Sequence, residues 1–348
     1  MTIILHEHVR KVYKKTFGVL QMKHNVKITL ILLGMFLITQ LISLAVVHAY
    51  SPYVTQVLNP TSGVIENLTI TPQLPYGMQP PEVNPQISLI SIIISFVIVF
   101  VIFFLLTRMR SNIILIVWFS FVVLLTLSIT LNSVLKNYLT LSSLVSLIIA
   151  LPLMFYKVFQ RNILIHNFTE LLIYPGIAVV FVPILNIWTA IIILVLIAIW
   201  DVYAVFKSKI MQNMAKYQIQ KVGVFAGFFI PYLTNKDRKN LSKVREGFKD
   251  KEIRNMTQSM REKINKKIKQ KKIKVSLAIL GGGDVAFPAI FAGVVYKFSG
   301  LIPALFVVGF ALLSLALLLF MAKKDKFYPA MLFLSPGCII GWLISLLI

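Results

Sequence analysis

Three acids lie inside long apolar stretches of this sequence: Glu170, Asp201 and Asp284. The other nine of its twelve Asp and Glu residues fall in polar gaps or at the ends of apolar runs. A charged Asp at the centre of a membrane helix costs about 2.5–3.5 kcal/mol on insertion scales, so an acid kept there asks for a function. Asp284 follows directly on Gly281-Gly282-Gly283, which weaken any helix that carries them. Two carboxyls held together in a low dielectric share one proton. Such a pair can activate water. The ionised carboxylate takes a proton from water as it attacks a peptide carbonyl, and the protonated one polarises the carbonyl oxygen. A tetrahedral diol forms, and the proton roles reverse to expel the amine. No metal, cofactor or nucleophilic side chain is required.

The elements that must position these acids are membrane helices. With 348 residues, 58% hydrophobic and 14% charged, the chain is too apolar for an ordinary soluble domain. Its net charge of +23 sits in the gaps between apolar runs, where it sets orientation against a membrane; no nucleic acid is needed to explain it. One cysteine, Cys338, excludes an intramolecular disulfide, and no His lies in the late spans to activate it as a nucleophile.

Residues 1–27 form a basic arm. Spans follow at about 28–49, 87–107, 112–135, 139–159, 162–182 and 184–206. Val47-His48-Ala49 would suit a signal-peptidase site, but about 22 apolar residues fit a retained span better than a signal h-region. The stretch 50–86 is rich in proline and has no Lys or Arg, so it reads as an external loop; the sequon Asn67-Leu68-Thr69 would be usable there. Residues 207–274 carry twenty Lys or Arg against five acids and read as a cytoplasmic, partly helical linker. Within it, residues 222–233 are apolar but too short to span, which suggests an interfacial or re-entrant helix. Three more spans, at about 275–298, 300–322 and 327–348, complete residues 275–348. The expected fold is an all-α polytopic membrane protein of nine transmembrane helices in the cell membrane, amino terminus cytoplasmic and carboxyl terminus external. Every basic cluster then falls inside, with Lys157 and Arg161 marking one inner turn.

In this layout Asp201 and Asp284 sit on consecutive antiparallel helices, about 8 Å and 15 Å from their inner ends. Gly281 and Gly283, lacking Cβ atoms, would let another backbone approach or let the helix open for an extended substrate. Phe287-Pro288 just after them could kink the helix. His166 and Glu170, four apart, share a helix face in the fifth span; half a metal site is one reading, and a mutual interior hydrogen bond or contact with a water-filled cavity the better one. Asn132, Asn137 and Asn186 fall near span ends.

Trp200-Asp201 in the sixth span, Gly281-Gly282-Gly283-Asp284 in the seventh and Pro329-Ala330-Met331 in the ninth resemble the YD, GxGD and PAL signatures of the presenilin and signal peptide peptidase family, and most closely an archaeal presenilin-type homologue. The resemblance extends to the nine-span layout. It implies an intramembrane aspartyl protease, with Asp201 and Asp284 catalytic and the Pro-Ala-Met segment supporting site and substrate. Its partners would be transmembrane protein substrates and the lipid bilayer, and a homo-oligomer is compatible with it. Trp200 stands where the family has Tyr, so a hydroxyl would have to come from elsewhere; Tyr203 is two residues on but not on the same face. Met331 for Leu conserves volume. Prepilin and preflagellin peptidases also carry GxGD, but with the first aspartate early in a shorter chain. The basic clusters give the presenilin orientation, which implies single-span substrates with the amino terminus outside. The competing function is a cation or proton-coupled transporter or channel using Asp201, Asp284 and Glu170 as a relay; the absence of an internal repeat and the Pro-Ala-Met segment speak against it.

Overall fold

The computed structural model describes residues 26–58, 65–70, 72–77, 112–160, 162–208, 226–233, 275–322 and 328–348, with isolated positions between 90 and 98. The expected arm, nearly all of the 87–107 span and most of the 207–274 linker lie outside the described residues. The chain divides into two units, 1–228 with 280–348, and 229–279.

The first unit is a helical membrane assembly. Its helices are α1 (Val26–Tyr50), α2 (Asn112–Leu135), α3 (Ser142–Phe155), α4 (Ile163–Phe181), α5 (Ile187–Tyr203), α6 (Gly282–Ser299), α7 (Leu301–Met321) and α8 (Met331–Ser345). Among the described residues, α1 to α5, with the turns that extend α3, α4 and α5, and α7 supply six helices long and apolar enough to cross a membrane. Their outer faces carry Leu, Ile and Trp in the open, for example Ile113, Ile148 and Trp188. Thr29, Gln40, Ser128, Thr169 and Ser335 are buried. That inversion follows from the solvent. Lipid gives no hydrophobic force between helices, so close packing and interior hydrogen bonds hold them. Asn186 caps α5 by accepting from the Thr189 N–H at 2.7 Å. Asn132, expected near an interface, is buried and donates to Tyr50 Oη at 2.9 Å. On α8, Gly337 and Gly341 lie one turn apart against α7, where a Cβ on Gly341 would come within 2.7 Å of the Phe306 carbonyl. This small-xxx-small edge explains why α7 and α8 pack so closely.

The helix α6 organises the unit. It packs against α1, α4, α5, α7 and α8, and Val285, Ala289, Val294 and Val295 are fully enclosed. A segment bearing an Asp and three glycines is tolerated because its neighbours are helices.

Four expectations change. The 50–86 stretch contains a hairpin, β1 (Tyr53–Leu58) against β2 (Ile65–Ile70), antiparallel from Tyr53↔Ile70 to Leu58↔Ile65. Of the apolar stretch 222–233 expected as a short helix, the part Gly227–Leu233 is a strand, β3, and Phe228, Phe229, Ile230 and Tyr232 are residues that favour strands. The first seven residues of the expected seventh span are a strand too, β4 (Val275–Gly281), paired with β3; the helix begins only at Gly282. Lys157, read as a marker of an inner turn, is buried: α3 continues through a π turn over Tyr156–Gln160 that carries the lysine inward.

Candidate active site

Asp201 lies two residues before the end of α5 and is 7% exposed. Trp200 and Tyr203 are on the opposite, open side of the helix, 48% and 45% exposed, with their rings 5.8 Å apart. The donors the structure gives Asp201 come from α8. Its Oδ2 accepts the Met331 N–H at 3.0 Å, and its carboxyl also takes the Ala330 N–H. The Pro-Ala-Met sequence accounts for this. A helix start leaves orphan N–H groups; Pro329 has none to give, and Ala330 has no side chain with which to cap its own helix. The first amides of α8 are therefore left for an acceptor on another helix. Asp201 caps α8 across the helix–helix contact, where the positive end of the helix dipole favours an anion.

Asp284 is the third residue of α6, so it sits in the first turn and not deep in a helix as the sequence suggested. Gly281 is the N-cap, in extended conformation (φ −65°, ψ 145°), and its N–H donates back to the Asp284 carboxyl. This is the acid half of a capping box. Each carboxyl thus rests on the amino end of a helix, Asp201 on α8 and Asp284 on its own α6. Asp284 lies within electrostatic reach of Asp201. Their helices α5, α6 and α8 pack on one another.

The glycines separate into different roles. A Cβ on Gly281 would stand 3.1 Å from Asp284 Oδ2, in the space the carboxyl uses. A Cβ on Gly282 would stand 2.8 Å from Tyr174 Oη and 3.3 Å from the Ala226 backbone. Gly283 is exposed, and a Cβ there would meet only the Phe287 ring at 3.6 Å. Close packing therefore falls on Gly282, not on the Gly281 and Gly283 pair. Gly282→Ala is expected to lower stability by about 1–3 kcal/mol through overpacking, and Gly283→Ala to change it by less than about 0.5 kcal/mol. Unfolding midpoints of the purified variants check both.

Sequence reasoning missed two supports of this site. Gln40, fully buried on α1, donates from Nε2 to the Val285 carbonyl at 3.0 Å, one residue beyond Asp284. A lone Gln in a 25-residue apolar helix was the available signal. Tyr174 of α4 is the other, four residues after Glu170. His166 and Glu170 do share an interior face, with His166 Nε2 3.6 Å from Glu170 Oε1, and Lys157 joins them: its Nζ donates to Glu170 Oε1 at 2.5 Å and lies 3.4 Å from His166 Nδ1. Cys338 is buried.

The model of the signal-peptide peptidase, presenilin aspartyl protease family matches residues 65–348. The chain belongs to that family. Two solved structures of a presenilin family intramembrane aspartate protease, in space groups C222 and P2, share the fold. The first superposes with a TM-score of 0.53 at 18% identity, covering 92% of this chain and 99% of that one. The second gives 0.50 at 17%, covering 91% and 96%. No curated protein sequence matches the chain. As a member of the signal-peptide peptidase and presenilin family the protein is an aspartic endopeptidase and a multi-pass membrane protein, and the transporter reading is set aside.

Proposed function

We propose that this protein hydrolyses peptide bonds inside transmembrane segments of other membrane proteins, with Asp201 and Asp284 as its catalytic pair. The observation that carries the reading is that two acids from different helices each rest on a helix amino terminus, with Asp284 in electrostatic reach of Asp201. The pair holds one proton between its members. The carboxylate draws a proton from the attacking water while the carboxylic acid donates a hydrogen bond to the scissile carbonyl. The carbonyl oxygen takes that acid's proton to complete the diol, which collapses as the first acid returns its proton to the leaving nitrogen and the second takes one back from a diol hydroxyl. The helix termini act as fixed dipoles at the negative charge and need no rearrangement during the reaction.

Ala198 and Val202 flank Asp201 on α5 and line an apolar groove with Leu332 and Pro336 of α8. A substrate helix arriving from lipid meets apolar surface there before it reaches the acids. The Lys- and Arg-rich segments put the amino terminus and the 207–274 linker in the cytoplasm and the carboxyl terminus outside, in a nine-span layout. The chain then sits in the cell membrane and acts on single-span substrates with external amino termini. Purified protein mixed with a tagged single-span substrate of that orientation is expected to give two products whose new termini, by mass spectrometry, lie within the apolar segment. Cuts confined to the soluble flanks, or no cut in any membrane substrate, would overturn the reading.

A further inference from the structure

Lys157, His166, Glu170 and Tyr174 form a buried polar stripe that takes no part in the proton chemistry above. His166, Glu170 and Tyr174 are spaced by four along α4 and so lie on one face. The ion pair beneath them is almost completely enclosed, each side chain being 1% exposed. A buried pair in a membrane protein costs desolvation that its own attraction does not reliably offset, and its specific geometry is then the thing to explain.

The stripe ends on the segment that presents Asp284. The Gly227 carbonyl can only accept, so His166 Nε2 carries the hydrogen and donates to it at 2.8 Å. This tautomer leaves the Nδ1 lone pair facing the Lys157 ammonium, and the same ammonium holds Glu170. Next to Gly227, the Ala226 carbonyl accepts the Gly282 N–H at 3.3 Å, and the Phe228 ring lies edge-on to Tyr174 at 5.9 Å. Tyr174 Oη also lies against Gly282, within electrostatic reach of both Glu170 and Asp284. One face of α4 therefore meets the Gly281–Asp284 turn twice, through Tyr174 directly and through the His166-bound segment that accepts the Gly282 amide.

We propose that Lys157, His166, Glu170 and Tyr174 are positioning residues that hold the first turn of α6, and with it the Asp284 carboxyl, in register with Asp201. The proposal rests on the assignment of Asp284 to catalysis. Tyr174→Phe deletes only the oxygen over Gly282. It is expected to lower kcat about tenfold or more, with KM within about twofold and the unfolding midpoint near wild type, because a misplaced acid slows chemistry without weakening substrate capture. Tyr174→Phe and Glu170→Gln are both expected to speed hydrogen exchange of the Gly282 amide, a readout that needs no protease activity. His166→Gln, which keeps a donor for the Gly227 carbonyl, should retain more activity than His166→Phe. Wild-type kcat and unchanged exchange in Tyr174→Phe would overturn the proposal, as would a loss of activity carried wholly by KM. If wild type cuts no substrate, the catalytic reading fails on its own, and Gly282 exchange still decides whether α4 holds the turn.

Discussion

Asp284→Asn and Asp201→Asn are each expected to lower the rate of peptide-bond cleavage by about 10³-fold while leaving the fold intact. Asparagine matches aspartate in shape and keeps a carbonyl oxygen. At position 201 that oxygen can still accept the Met331 and Ala330 amides, so α8 keeps its cap; at 284 it can still accept the Gly281 amide. What neither variant can do is take up or share the proton that water attack requires. Initial rates on a single-span substrate, with unfolding midpoints beside them, separate lost chemistry from lost structure. A folded variant that keeps a tenth or more of the wild-type rate would remove that residue from the mechanism.

The largest effect on stability is expected at Lys157. Lys157→Met leaves Glu170 charged, enclosed and deprived of the ammonium at 2.5 Å, a loss of about 3–5 kcal/mol. Replacing both partners removes the desolvation cost along with the attraction, so Lys157→Met combined with Glu170→Met should regain most of that loss. Denaturant-induced unfolding of the two variants measures the difference directly. A single substitution with no effect would mean that the pair is solvated in the protein. The double variant should still cleave slowly, because stability returns without the geometry that fixes Tyr174 over Gly282.

The parts of this molecule that were legible in the sequence are those governed by apolar length and by rare residue types. Six of the expected spans correspond to helices long and apolar enough to cross a membrane, and Asp201, Asp284 and Pro329-Ala330-Met331 stand out because acids and proline are scarce in such segments. The strands at Gly227–Leu233 and Val275–Gly281 were not legible, since a short apolar run with β-branched and aromatic residues looks like a piece of a span until its pairing partner is known. That strand moves Asp284 from the depth of a helix to its first turn and changes the electrostatics of the site. Lys157 was read from its place near a span end, where lysines usually set topology; only the π turn after Phe155 and the presence of Glu170 reveal it as an interior ion pair. Gln40 and Tyr174 were missed because the value of each depends on a contact far along the chain, with Val285 for Gln40 and with Gly282 for Tyr174.

The role of the Pro-Ala-Met segment also became physical only in three dimensions. Its proline and alanine are informative for what they lack, an N–H and a capping side chain, and Asp201 supplies the missing acceptor. A substitution at 201 thus touches the start of α8 as well as the proposed chemistry, which is why the asparagine variant is a cleaner test than alanine.

The proposed mechanism requires that Asp201 and Asp284, separated by a segment with twenty Lys or Arg residues, form one site. Cysteines placed by Asp201→Cys and Asp284→Cys in a Cys338→Ala background can be bridged by a short bifunctional thiol reagent in the folded protein. Trypsin digestion after denaturation then cuts the basic segment between them. The two fragments are expected to stay joined after treatment. Fragments that separate, when each single-cysteine variant reacts with the same reagent, would contradict the mechanism.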